Sequence, residues 1–198
     1  MAVMLAHAAL ALYVVVRVYD THGVPEDTVT TARATAERIL RAADVSVRWA
    51  TCPCSGPVGP VELMVRLSAA TPDSEPASLG FSYVDLDRKA GTLATLFDDR
   101  VHALADAAGV DEGELLGRAM AHEIGHLLLG TRDHAPAGLM RGLWTINELE
   151  RNRPWEWAIS RKDGATMRQA VVRRMRAPAQ PDSVIAGLPP QTAAPHTH

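Results

Sequence analysis

Two histidines four residues apart, with a glutamate directly after the first, are the residues of this chain best suited to chemistry. They are His122, Glu123 and His126, in the stretch His-Glu-Ile-Gly-His-Leu-Leu-Leu-Gly-Thr-Arg-Asp-His that spans residues 122–134. On a helix, residues four apart share one face, one turn apart. His122 and His126 can therefore direct two imidazoles at one ion. Glu123 stands beside the first ligand, placed to reach a water on the metal. His134 follows Gly130 and supplies a third nitrogen. Three neutral nitrogen ligands with one open position describe a catalytic zinc site. Zn2+ in such a site lowers the pKa of its water towards neutrality.

A helix must present these groups, and the flanking sequence predicts one. Asp111 and Glu114 have the spacing of a capping box, in which each side chain satisfies a free backbone N–H of the first turn. Leu115, Leu116, Ala119, Met120, Ile124, Leu127 and Leu128 recur at helical spacing and form a broad apolar face. Gly130 stands where a helix ends in a left-handed residue. A stop there turns the chain back, as His134 needs to do to meet the same ion. A core helix with two incidental histidines is the plain alternative. It is disfavoured because buried polar groups without partners are costly.

The motif resembles that of the metzincin clan of zinc metallopeptidases, H-E-x-x-H-x-x-G-x-x-H followed by a methionine turn beneath the metal. It departs from the clan pattern in having three residues on each side of Gly130 where the clan has two. One extra helical residue rotates the helix end by about 100°, so the return path to His134 must differ. His134-Ala-Pro-Ala-Gly-Leu-Met140 offers the methionine turn, with Pro136 and Gly138 as turn formers and Met140 as the apolar floor. With Trp144, the string is similar to a group of small bacterial metzincin-like proteins sharing the HExxHxxxGxxxH spacing. The resemblance covers residues 118–144. Other third ligands stay open: Asp133, in a segment resembling the Gly-Thr-x-Asp element of aspzincins; Glu148 or Glu150, on a later helix as in gluzincins; and Cys52 or Cys54, as in peptide deformylases. His134 ranks first as the nearest histidine after the helix break.

The resemblance implies peptide-bond hydrolysis, with peptide or protein as substrate. Zinc polarises the carbonyl, and Glu123 takes the water's proton as general base and passes it to the leaving amine. The oxyanion needs a further donor. Arg141, Trp144 and His102 are candidates, and spacing singles out none. The alternative function is a zinc-binding domain without catalysis that acts as a protein-interaction module. Glu123 weighs against it, since a structural site needs no general base and usually closes with four protein ligands.

Upstream, Leu12–Tyr19 reads as a first, central strand. Pro25 suits the first turn of a helix that runs to about residue 43. Val45–Ala50, Val61–Leu67, Leu79–Val84 and Thr92–Phe97 read as four more strands, and Asp98–Ala108 as a short helix. The expected fold is α+β and metzincin-like: a twisted mixed sheet of about five strands, one early crossover, then hairpin-like strands, packed on helices. By the resemblance, Leu79–Val84 or Thr92–Phe97 is the edge that pairs with substrate. Downstream, Thr145 and Glu148 form a second capping box on a helix to Asn152. Pro154 breaks it, Trp155, Trp157 and Ile159 read as core or hinge, and Ser160 caps a last helix to about Met175.

At 198 residues and 47% hydrophobic, the chain is expected to form one domain over residues 12–176. Residues 1–11 read as an apolar extension or a remnant signal. Residues 177–198, rich in Pro, Ala and Gln, read as a disordered tail. A net charge of −3 argues neither for nucleic acid nor for an anionic membrane as the main partner, and neither is expected. No run is apolar enough to span a bilayer. Residues 1–11 contain Ala-x-Ala patterns but no basic leader, so location leans only slightly to the cytoplasm, with secretion as the alternative. Cys52 and Cys54 would close a strained ring if joined, so free thiols, metal ligation or pairing with another chain are expected instead.

Overall fold

A computed structural model describes residues 12–177 apart from 53, 55 and 76. The expectations for 1–11 and for 178–198 fall outside the described residues. Strand β1 is Tyr13–Asp20, and helix α1 is Glu26–Ala42. β2 (Ser46–Thr51), β3 (Glu62–Ser68), β4 (Gly80–Asp85) and β5 (Ala90–Phe97) follow. Then come α2 (Asp98–Ala108), α3 (Glu112–Leu129), α4 (Ile146–Arg151), a 3-10 turn at Pro154–Trp157 and α5 (Arg161–Arg176). The result is a mixed α+β fold with a five-stranded sheet.

The strand order is β2-β1-β3-β5-β4. β1 is parallel to both β2 and β3, and β3 is parallel to β5; β4 alone runs antiparallel, against β5. The expectation of a run of hairpins is therefore corrected to a single one, β4–β5. Parallel neighbours need crossover connections, and the segments between β2 and β3 and between β3 and β4 lack the short turn that a hairpin requires. The β4–β5 turn does have local chemistry: the Asp85 carboxylate accepts from the N–H groups of Asp87 and Arg88. β5 is paired on both sides, so β4 is the free edge on this side of the sheet, and Thr92–Phe97 is eliminated as an edge.

Alternating residues bury one face of the sheet: Val14, Val16 and Val18 on β1, Leu63, Val65 and Leu67 on β3, Ala94 and Leu96 on β5. These join the apolar residues of α1 and α3 in one core. α3 lies close enough to α1 that a side-chain carbon at Gly117 would fall 2.5 Å from the Ala32 carbonyl oxygen. Pro25 occupies the N-cap position of α1, just before the first turn. Trp157 is buried as expected, whereas Trp155 is 66% exposed and belongs to no core.

Cys52 and Cys54 are joined as a disulfide with Cα atoms 4.4 Å apart. This corrects the expectation that they stay unjoined. The Cα spacing is at the short end of the usual range for a disulfide. The pair follows β2, at the opposite sheet edge from β4, and neither cysteine joins the histidine cluster described below. Among the described residues, no helix is long and apolar enough to cross a membrane.

The turn after β1 is fastened to the start of α2 by His22 and Asp98. The hydrogen bond that the His22 ring donates to Asp98, and then the Asp98 charge, raise the His22 pKa above its ordinary 6.5. A raised pKa in the folded state means that this stabilisation is complete below the unfolded value and is lost as pH rises through the folded one. His22→Ala is therefore expected to lower the melting temperature more at about pH 5.5 than at about pH 8.5. Equal losses at the two pH values would remove the charged pair from the account.

Candidate metal centre

α3 begins where the Asp111 side chain accepts from the Glu114 N–H. The reciprocal half of the expected capping box is absent, because the Glu114 carboxylate turns instead to Arg118, 3.2 Å away. The apolar residues predicted for the helix are all buried, and so are Arg118, His122, Glu123 and His126. The helix is thus enclosed on nearly every side, and its polar residues must find partners within the fold.

Both helical histidines do. His122 Nδ1 is 2.9 Å from the Leu139 carbonyl oxygen, and His126 Nδ1 is 2.9 Å from that of Thr131. A carbonyl only accepts, so each Nδ1 carries the proton and each Nε2 carries a lone pair. Those Nε2 atoms lie 3.0 Å apart. Two lone pairs facing each other at that distance repel, and a cation between them converts the repulsion into two bonds. This donor set fits a metal ion. The hydrogen bonds to carbonyls are the usual outer support of metal-binding histidines.

His134 completes the group. Its ring centre lies 5.4 Å from that of His122 and 5.0 Å from that of His126. One ligand atom from each of the three histidines falls within 4.8 Å of the others. The chain returns because Gly130 ends α3 in the left-handed conformation, at φ 68°, with its N–H on the His126 carbonyl. The helical residue added before Gly130 is offset by the loop residue added after it, which restores about 3.3 Å of reach. Asp133 is engaged by the Thr131 hydroxyl. Glu148 is taken by the Thr145 cap and lies 3.3 Å from Arg141 Nε. Glu150 is exposed. None of the three joins the cluster.

Met140 lies beneath the helix as the sequence suggested. It is 2% exposed, and a side-chain carbon at Gly125 would meet its sulfur at 2.6 Å. Gly125, inside the motif, is what allows that approach. The turn is closed by the Ala135 N–H on the Met140 carbonyl.

Burial holds the His122 pKa down to about 3, with the charge of His126 adding to the effect. Burial likewise lowers the His126 pKa. Both imidazoles are therefore neutral near pH 7, the form that ligates metal. Glu123 has its pKa pushed up to about 7 by burial, while a hydrogen bond from Ser82 pulls it the other way. That serine, which the sequence reading missed, places its hydroxyl 2.7 Å from Glu123 Oε2. Glu123 Oε1 has no hydrogen-bond partner among the described residues.

These groups line a cleft of about 710 Å3. Phe81, Ser82 and Tyr83 of β4 line it, as do Gly142 to Trp144. Of the three candidate oxyanion donors, His102 is paired with Glu112 on another surface. Arg141 lines the cleft, but its Nη1 is committed to the carbonyl oxygens of Gly138 and Glu156. Trp144 lines the cleft, and so does Tyr83, which sequence reasoning did not consider.

No family model matches the chain, and no curated protein sequence matches it. Among solved structures, archaemetzincin from Methanopyrus kandleri, determined at 1.5 Å resolution, matches with a TM-score of 0.55 and 14% sequence identity. The match covers 84% of this chain and 99% of that one. At that identity the likeness is one of fold, and it agrees with the metzincin-like architecture expected from residues 118–144.

Proposed function

We propose that this protein is a zinc-dependent metallopeptidase. The observation that carries the reading is the convergence of His122, His126 and His134 on one point, with the buried Glu123 beside them in an open cleft. Three nitrogen donors, with no fourth protein ligand grouped with them among the described residues, are the donor set of catalytic zinc sites. The fold shared with an archaemetzincin supports the same reading.

His122, His126 and His134 would hold the ion. Leu139 and Thr131 fix the ring orientation of the first two through their carbonyls. Bound zinc supplies a Lewis acid that acidifies water and polarises a carbonyl. Glu123 Oε1 accepts a proton from the attacking water and delivers it to the amine nitrogen that leaves. Ser82 keeps Oε2 occupied meanwhile. β4 offers its free edge to an extended peptide, which would add to the sheet as a further strand. The alternative reading, a zinc-binding interaction module, leaves the burial of a carboxylate beside the ligands without a purpose.

The test is metal analysis followed by peptide cleavage. We expect one zinc per chain, loss of cleavage on chelation, and recovery on adding zinc back. A protein that binds zinc yet cleaves no peptide in a diverse library supports the interaction module. A protein that binds no zinc excludes both readings.

A further inference from the structure

Ser82 sits where two separate features of the fold meet. Its hydroxyl lies 2.7 Å from Glu123 Oε2 and 2.9 Å from the Glu123 carbonyl oxygen. One hydroxyl proton serves one of these two acceptors at a time. The backbone of Ser82 has a different role. Phe97 N–H donates to the Leu79 carbonyl at 2.8 Å, so Leu79 and Phe97 form a hydrogen-bonded pair of the antiparallel ladder. Such pairs alternate with non-bonded ones. The register places Phe81 opposite Thr95 and Ser82 opposite Ala94. Phe81 is then bonded to β5, while the N–H and C=O of Ser82 point outward to the free edge. Gly80 shares that outward orientation, and its N–H and C=O are met by the Ser78 hydroxyl.

Ser82 is thus a residue of the edge strand whose main chain faces an incoming strand and whose side chain holds the buried carboxylate. We propose that Ser82 is a positioning residue that fixes Glu123 with Oε1 free for the reacting water, and that pairing of an extended peptide with β4 sets this position. The inference rests on the metallopeptidase reading above. A peptide that pairs with Ser82 restricts the backbone dihedrals from which the hydroxyl projects, and so restricts the carboxylate it holds. A peptide too short to reach β4 leaves both looser.

The test is a double-mutant cycle on the zinc-loaded protein, read as the calorimetric affinity of a peptide hydroxamate, a zinc chelator that shares its proton with a neighbouring base. Ser82→Ala is expected to weaken binding by about tenfold, the size of one hydrogen bond to a charged group. Ser82→Thr keeps the hydroxyl and suits a strand, and is expected to recover most of that loss. In a Glu123→Ala background, Ser82→Ala is expected to add nothing to the change in hydroxamate affinity, because the carboxylate through which Ser82 acts is gone and only its contact with the main-chain carbonyl of residue 123 remains. With a cleavable peptide, Ser82→Ala should lower kcat and leave KM nearly unchanged, and the gain in kcat from short to long peptides should disappear. Losses that add in the Glu123→Ala background, or an equal loss in Ser82→Thr, overturn the proposal while the metallopeptidase reading stands. Failure of the wild-type protein to bind zinc overturns both, and is seen before any variant is compared.

Discussion

Glu123→Ala is expected to keep zinc at one per chain and to lower kcat by about 10²–10⁴-fold, the usual contribution of a general base. The two halves of this result have different physical origins. Glu123 is not one of the three clustered ligands, and the carbonyl acceptors that orient His122 and His126 belong to Leu139 and Thr131. Removing the carboxylate therefore leaves the donor set in place. It does remove the buried carboxylate that lines the cleft with the three histidines and can take a proton from water. Folding should tolerate the change, because a carboxylate at 7% exposure bears a desolvation cost that alanine does not. Glu123→Gln keeps the shape and the contact with Ser82 but has little basicity, so it should be nearly as slow. Cleavage by either variant at the wild-type rate would dispose of Glu123 as the base.

The parts of this site that were legible in the sequence are those whose signals are local. α3 announces itself through its apolar period, its Asp111 cap and its Gly130 stop, and the structure ends the helix at Leu129. The histidine spacing needs only the helical repeat. The five strands are also local, as runs of β-branched and aromatic residues. Their order was not legible. The early crossover does join β1 to β2, and β4–β5 is a hairpin, but β1–β3 and β3–β5 pair in parallel where hairpins were expected, because no local signal names a partner strand distant in sequence. Ser82 was not legible for a related reason: it meets Glu123 across 41 residues of sequence, and a serine in a strand is ordinarily just a polar face. The Leu139 carbonyl that orients His122 lies 17 residues away, and every residue type carries a carbonyl. For the cysteines, a ring this small argues against joining them, yet the backbone after β2 brings their Cα atoms within disulfide range.

Gly130→Ala is expected to lower both stability and zinc affinity, because one residue ends the helix and returns the third ligand. Its φ of 68° is left-handed, which costs an L-residue about 1–2 kcal/mol. A second cost is larger. A side-chain carbon at this position would lie 2.2 Å from the carbonyl carbon and oxygen of Lys89, in the β4–β5 turn. Those are backbone atoms that cannot swing aside, so helix end and hairpin must separate. A combined loss of about 3 kcal/mol or more corresponds to a drop of roughly 6–12 °C in melting temperature for a chain of this size. Separating them moves the Thr131 carbonyl that orients His126 and the loop that carries His134. Zinc affinity should then fall by at least the roughly 10–100-fold seen when outer support of a ligand is lost. Two controls divide the causes. Gly130→Asn relieves much of the dihedral cost, since asparagine tolerates the left-handed region, but it keeps the clash and should remain destabilised. His134→Ala removes an exposed side chain and should weaken zinc binding with little change in melting temperature. If Gly130→Ala melts and binds zinc like the wild type, the left-handed stop is not what brings His134 to the other two histidines.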